Sequence, residues 1–145
     1  MSRAARRVFG LIAVLAVAGI AVSSVSLYHH YGSSKTSYCD FGESFNCDIV
    51  NRSTYSTVLG IPDALIGILG YAALLLLATL YRSRSDTPAL LLIASVAGLG
   101  FALYLTYIEA FVLATWCILC LSSLSVIGLI TVLSSWLAVG ALRRE

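Results

Sequence analysis

Four long apolar runs, at residues 8–28, 61–81, 89–115 and 117–142, leave this chain few folds to choose from. Each holds roughly 20 residues or more, and at about 1.5 Å per residue that crosses a hydrocarbon layer of about 30 Å. Hydrocarbon offers the backbone no hydrogen bonds, so only helices or a closed barrel satisfy it there. The Leu, Ile, Ala and Val of these runs show no period of two, which excludes barrel strands. Composition agrees, because 59% of the 145 residues are hydrophobic and 11% charged, too few charges to cover a water-exposed surface. The expected fold is all-α: a single membrane domain over residues 1–145, an integral membrane four-helix bundle. An outer cap of loop and short helix, residues 29–60, is expected between the first and second spans.

Arg3, Arg6 and Arg7 ahead of an apolar stretch also fit a secretory signal. The run from residue 8 is longer than a signal core, however, and its removal would leave three spans with mismatched loop charges, so it is read as the first span. Arg3, Arg6, Arg7, Arg82, Arg84, Arg143 and Arg144 fall in the N-terminus, the second connection and the C-terminus, which share one side of a four-span chain. By the positive-inside rule that side is cytoplasmic, with both termini inside and residues 29–60 outside. No basic stretch interleaved with aromatics exists, and the net charge is only +2, so nucleic acid is not an expected partner.

The outer segment is polar and turn-rich, with one short helix expected at residues 49–59, and Gly60-Ile61-Pro62 marks the entry to the second span. Ala94, Ala97, Gly98, Gly100 and Ala102 in the third run are small enough to let helices approach closely. Cys39 and Cys47 lie in the outer segment, while Cys117 and Cys120 open the fourth span on the same side, so all four converge on one membrane face. Cys117-Ile118-Leu119-Cys120 places two thiols within one helical turn, at a helix N-terminus that favours thiolate. A static staple inside one turn would contribute little, since loop-closure stabilisation grows with loop length. A structural zinc site usually takes two tightly spaced pairs, unlike Cys39 and Cys47 with seven residues between them. No metal is therefore expected, and redox exchange is the preferred chemistry, with all three possible pairings open.

Read together, Cys39-Asp-Phe-Gly-Glu-Ser-Phe-Asn-Cys47, Ser53, Gly60-Ile-Pro62, Tyr104-Leu-Thr-Tyr107-Ile-Glu109 and Trp116-Cys117-Ile-Leu-Cys120 resemble the vitamin K epoxide reductase family, its bacterial members above all. The resemblance spans nearly the whole chain and implies a membrane thiol–quinone oxidoreductase that supports disulfide formation. It further implies that Cys117 and Cys120 are the pair beside the quinone, that Cys120 faces the ring, and that Cys117 exchanges with Cys47. Cys39 would meet a thioredoxin-like or DsbA-like protein on the outer side, and Ser53 would stand near the quinone head group. The electron acceptor would be ubiquinone or menaquinone and the location a bacterial cytoplasmic membrane. The chain stops at Glu145 after its last span, so the thioredoxin-like partner is expected to be separate. Leu124 stands where animal members carry a tyrosine, which favours quinone over epoxide as substrate. A DsbB-like protein would carry its Cys-X-X-Cys near the first outer loop, the reverse of the order here. The alternative from another class is a non-enzymatic membrane scaffold braced by disulfides.

Other polar and aromatic residues in apolar surroundings get plainer expectations. Glu109 is an ionisable group in a span and so a functional suspect, but its place near a helix end suggests a carboxylate reaching water or pairing with the loop through Arg52. Asp63 is expected to complement the dipole of the second span from its first turn. His29 and His30 are expected to mark the exit of the first. Tyr104, Tyr107, Phe111 and Trp116 are expected to pack or to sit at the membrane interface rather than touch quinone.

Overall fold

The computed structural model describes residues 2–31 and 57–145. Four helices account for most of them: α1, Arg3–Tyr31; α2, Asp63–Thr79; α3, Thr87–Tyr107; and α4, Ile118–Leu142. A π-helical stretch, Ile108–Leu113, prolongs α3. The segments Arg3–Tyr28, Thr87–Leu113 and Ile118–Leu142 are each long and apolar enough to cross a membrane. At 17 residues α2 is the shortest, about 25 Å by helical rise, at the lower end of what a crossing needs. The expected all-α membrane bundle is the fold observed.

The helices pack as a ring in which α1 lies against both α2 and α4, and α3 lies against α4 and, more sparsely, α2. Inward positions recur at three and four residues, as a helical stripe requires: Phe9, Ile12 and Ala16 on α1, Tyr71, Leu74 and Ala78 on α2, Ile127, Ile130 and Leu137 on α4. These meet Leu91 of α3 in one core. The outward faces are as apolar as the core, with Val14, Leu69, Ile93 and Val132 all exposed. In a water-soluble protein such a surface would drive association; here it matches lipid.

Several hydroxyl side chains inside the bundle return their protons to helix backbone, although that of Ser134 is buried without a partner among the described residues. Thr131 Oγ1 donates to the Ile127 carbonyl at 2.7 Å and lies 3.3 Å from that of Ser95 on α3, tying α4 to its neighbour. The connection between α2 and α3 is exposed and closes when the buried Thr87 hydroxyl donates to the Tyr81 carbonyl. Pro88 in the first turn of α3 costs no hydrogen bond. Arg144 approaches the Ser2 hydroxyl at 3.5 Å, so the two ends of the chain meet at one end of the bundle.

At the opposite end the entry to α2 differs from expectation. Residues 57–59 belong to a small hairpin instead of a helix: β1, Thr57–Val58, runs antiparallel to β2, Ile61–Pro62, pairing Thr57 with Pro62 and Val58 with Ile61. Leu59 and Gly60 turn the chain with φ of 54° and 82°. Positive φ at both central residues gives a two-residue turn the twist its strands need, and Gly60 adopts it without a steric cost. Pro62, at φ −58°, then enters α2 without an amide proton to place. Residues 49–56 of the expected short helix lie outside the described residues, as does most of the outer cap.

Gly19 decides how closely α1 approaches α2. A Cβ built there would collide with the ring of Tyr71, whereas one at Gly100 or Gly128 meets nothing within 4 Å. Gly19→Ala is therefore expected to destabilise the bundle by about 1–3 kcal/mol, the usual cost of overpacking, with Gly100→Ala neutral. Thermal unfolding in detergent measures both, and equal melting temperatures for the two variants would count against this packing.

Candidate active site

The end of α3 does not run straight into solvent. In the π-helical stretch the backbone widens, and Ile108 and Glu109 are its buried residues. The chain then reverses at Ala114, which takes left-handed angles with φ 51°. For a residue with a Cβ that conformation costs about 1–2 kcal/mol. The amides of Ala114 and Thr115 both donate to the Glu109 carbonyl, the latter at 3.1 Å, and fold the chain back over that residue.

The return places Cys117 as the residue capping α4, in extended geometry. Its own side chain makes no capping hydrogen bond. Instead the Glu109 carboxylate supplies the acceptor: the Cys117 amide donates to Oε2 at 3.2 Å. A carboxylate at a helix N-terminus satisfies an amide with no partner in the helix, and its charge faces the positive end of the dipole. Glu109 is only 1% exposed, so the expectation of a water-reaching interfacial carboxylate is not met. Depth along the sequence misleads here, because the reversal at Ala114 covers the helix end. Arg52 lies outside the described residues. Oε1, the other carboxylate oxygen, is buried and makes no hydrogen bond of ordinary length among the described residues. The Cys120 thiol nevertheless lies near enough to interact with the carboxyl group, and Asp63 near enough to feel its charge.

Cys117 is fully buried and packed with Leu119 among Val22, Val25 and Leu113. Cys120, one turn into α4, is half-buried and its thiol is within interaction distance of that of Cys117. The Cys-X-X-Cys thus spans two environments, one sulfur sealed in an apolar nest and the other on the wall of a cavity.

That cavity measures about 370 Å³ and is lined by all four helices. It occupies the half of the bundle where α1 ends and α4 begins, beside the sparse contact between α2 and α3. Most of the wall is apolar, including Ile66, Leu74, Phe101 and Leu105, and a few polar groups converge on it: Ser23, Ser26, Asp63, Tyr71, Ser123 and Cys120. Tyr71 is held firmly, donating to the Ser123 carbonyl at 2.9 Å with the Ser123 hydroxyl at 2.8 Å. An apolar chamber of this size with a few fixed polar groups is what binding a small organic ring requires. Ala94, Ala97, Gly98 and Ala102 also line it. Their small size leaves room for the chamber rather than bringing α3 tightly onto α2. Of the two glycines of α3, Gly98 shows the expected close approach, and to α4, where an added Cβ would stand 3.2 Å from Ile127, while one at Gly100 meets nothing within 4 Å.

A family model described as Vitamin K epoxide reductase family matches residues 10–135, nearly the whole bundle and all four cysteines. The chain belongs to the vitamin K epoxide reductase family. Members of this family are membrane oxidoreductases that work between thiol–disulfide pairs and quinone-type substrates. Among the described residues, no three His, Cys, Asp or Glu side chains come together as a metal site.

Of the residues expected to carry the chemistry, the structure brings Cys117 and Cys120 together, with Cys120 on the cavity wall and Cys117 buried beside it; Cys39, Cys47 and Ser53 lie outside the described residues. Asp63 does open α2, as expected of a first-turn acid, and it also borders the cavity. Tyr104, Tyr107 and Phe111 are exposed and absent from the cavity wall, and Tyr107 and Phe111 stack at 5.1 Å between ring centroids. Tyr71, Phe101 and Ser123 were not singled out in the sequence. Their only signal is position, Ser123 three residues beyond Cys120 and Tyr71 eight beyond Asp63.

The different surroundings of the two thiols predict unequal reactivity. In a reduced Cys39→Ala, Cys47→Ala variant, a small apolar maleimide is expected to alkylate Cys120 several times faster than Cys117. Peptide mapping after timed quenching reads the ratio, and faster modification of Cys117 would contradict the burial described.

Proposed function

We propose that this chain takes two electrons from a dithiol protein outside the membrane and delivers them to a quinone inside it, so forming disulfides. The observation that carries the reading is the position of Cys120, on the wall of an apolar cavity and next to the sealed thiol of Cys117. A thioredoxin-like or DsbA-like partner reduces the Cys39–Cys47 disulfide to two thiols with its own dithiol and leaves as a disulfide. Cys47 then attacks Cys117, and the reduced outer pair is reoxidised as Cys117 and Cys120 become thiols. Those thiols close to a disulfide again, and their two electrons and two protons convert the quinone to a quinol. Ubiquinone and menaquinone both present a flat ring and an apolar tail suited to the cavity. Ser53 would donate a hydrogen bond to a quinone carbonyl.

Sidedness follows from charge. Arg3, Arg6 and Arg7 begin α1, Arg82 and Arg84 lie between α2 and α3, and Arg143 and Arg144 follow α4. In a bacterial cytoplasmic membrane this arginine-rich end faces the cytoplasm and the cysteines face the oxidising side.

The electron path makes the cysteines unequal. Cys39→Ala is expected to keep quinone reduction with dithiothreitol, which bypasses the outer pair, and to lose it with the protein partner. Cys120→Ala is expected to lose both. Quinone absorbance followed in proteoliposomes distinguishes them, and turnover by Cys120→Ala with dithiothreitol would exclude the path.

The cavity itself is tested by filling it. Gly70 lines it, and a Cβ there meets nothing within 4 Å, so Gly70→Leu intrudes without disturbing the helix. The KM for quinone is expected to rise with the melting temperature unchanged; an unaltered KM would move the quinone elsewhere.

A further inference from the structure

Glu109 has a structural task that uses one oxygen and leaves the other. Oε2 accepts the Cys117 amide at 3.2 Å, while Oε1 is buried without a hydrogen bond among the described residues. Burying a carboxylate and leaving one oxygen unsatisfied costs free energy that a capping serine or asparagine would not incur. A cap alone therefore does not account for a carboxylate here. Among the described residues, the titratable groups facing it are Cys117 and Cys120 at the start of α4 and Asp63 at the start of α2. Two of these must lose protons each time the active-site disulfide forms, and the third borders the cavity.

We infer that Glu109 is the proton acceptor for the active-site dithiol, taking the Cys120 proton onto Oε1 while Oε2 keeps its hold on the Cys117 amide. This rests on the thiol–quinone reading above. The S–H bond of Cys120 breaks, an O–H bond forms on Glu109, and the electron pair stays on sulfur. As the Cys117–Cys120 bond closes, two electrons pass to the quinone, and the second proton, from the Cys117 thiol, goes to an oxygen of the quinone as it is reduced. The carboxyl then releases its proton towards Asp63 and the reduced quinone, which ends with two electrons and two protons as quinol. The carboxylate is regenerated, and no further oxidant or reductant enters.

Glu109→Gln separates this role from capping, because the amide oxygen still accepts the Cys117 N–H but takes no proton. Prereduced protein is mixed with quinone, and single-turnover quinol formation is followed from pH 6 to 9 alongside thermal unfolding. The wild-type rate is expected to vary little with pH above the range where the carboxyl ionises. In Glu109→Gln the rate is expected to fall about a hundredfold or more near neutral pH, as loss of a general base does. It should then climb with pH, since hydroxide must remove the thiol proton, while the melting temperature is kept. Glu109→Asp, a carboxylate set back by one methylene, is expected to be slower than wild type but to keep the flatter profile. It carries the same test if the glutamine variant does not fold. A Glu109→Gln rate equal to wild type overturns the assignment. So does a lowered rate with the wild-type pH profile, or an aspartate variant whose profile matches that of glutamine; each reduces Glu109 to a cap. If wild-type protein itself forms no quinol, the thiol–quinone reading fails first, and the inference with it.

Discussion

In hydrocarbon every backbone amide and carbonyl must find its partner within the protein, and the architecture follows from that requirement. It turns the four apolar runs into helices and sends the inner hydroxyls of Thr87 and Thr131 back to carbonyls. It also makes any interruption of a helix expensive unless something repairs it. The one elaborate interruption among the described residues, from the π-helical stretch through Ala114 to Cys117, is repaired by Glu109, whose carbonyl takes the amides of Ala114 and Thr115 and whose carboxylate takes that of Cys117. Cys117 and Cys120 therefore sit on a junction held by a single acidic residue.

The ring of helices is uneven, and the unevenness makes the site. Gly19 lets α1 close tightly on Tyr71, and Gly98 lets α3 approach Ile127, so two seams of the bundle are dense. The seam between α2 and α3 is not, and the cavity lies there. Tyr71 serves both sides of this arrangement. Its ring fills the space over Gly19, and its hydroxyl anchors to Ser123 one turn beyond Cys120, so the dense seam fixes part of the cavity wall.

The helices were legible in the sequence because hydrocarbon imposes a simple length rule, and the apolar runs obey it. Cys117 and Cys120 were legible because their spacing has a chemical meaning of its own. The reversal at Ala114 was hidden, since neither glycine nor proline marks it, and with it the burial of Glu109. A carboxylate capping a helix that begins nine residues later leaves no periodic trace; the one usable sign is an acid in an otherwise uncharged run shortly before a Cys-X-X-Cys. The small residues of α3 were ambiguous for a different reason, because alanine and glycine serve close packing and open space equally well. The hairpin at residues 57–62 departs from the expected helix, and its signs in the sequence are the β-branched Thr57 and Val58 followed by Gly60 and Pro62.

Gly70 and Ala73 on α2 and Ala97 on α3 line the cavity and are exposed, at the sparsely packed seam between these two helices. The chamber thus opens sideways, between two helices whose outer faces meet lipid. A ligand arriving by that route never crosses water, and its supply is set by its mole fraction in the bilayer. Adding lipid or detergent at constant volume would dilute it as surely as adding buffer dilutes a solute. For such a site the affinity that matters is a partition between two oily phases, and a longer apolar tail on the ligand changes it far less than it changes solubility.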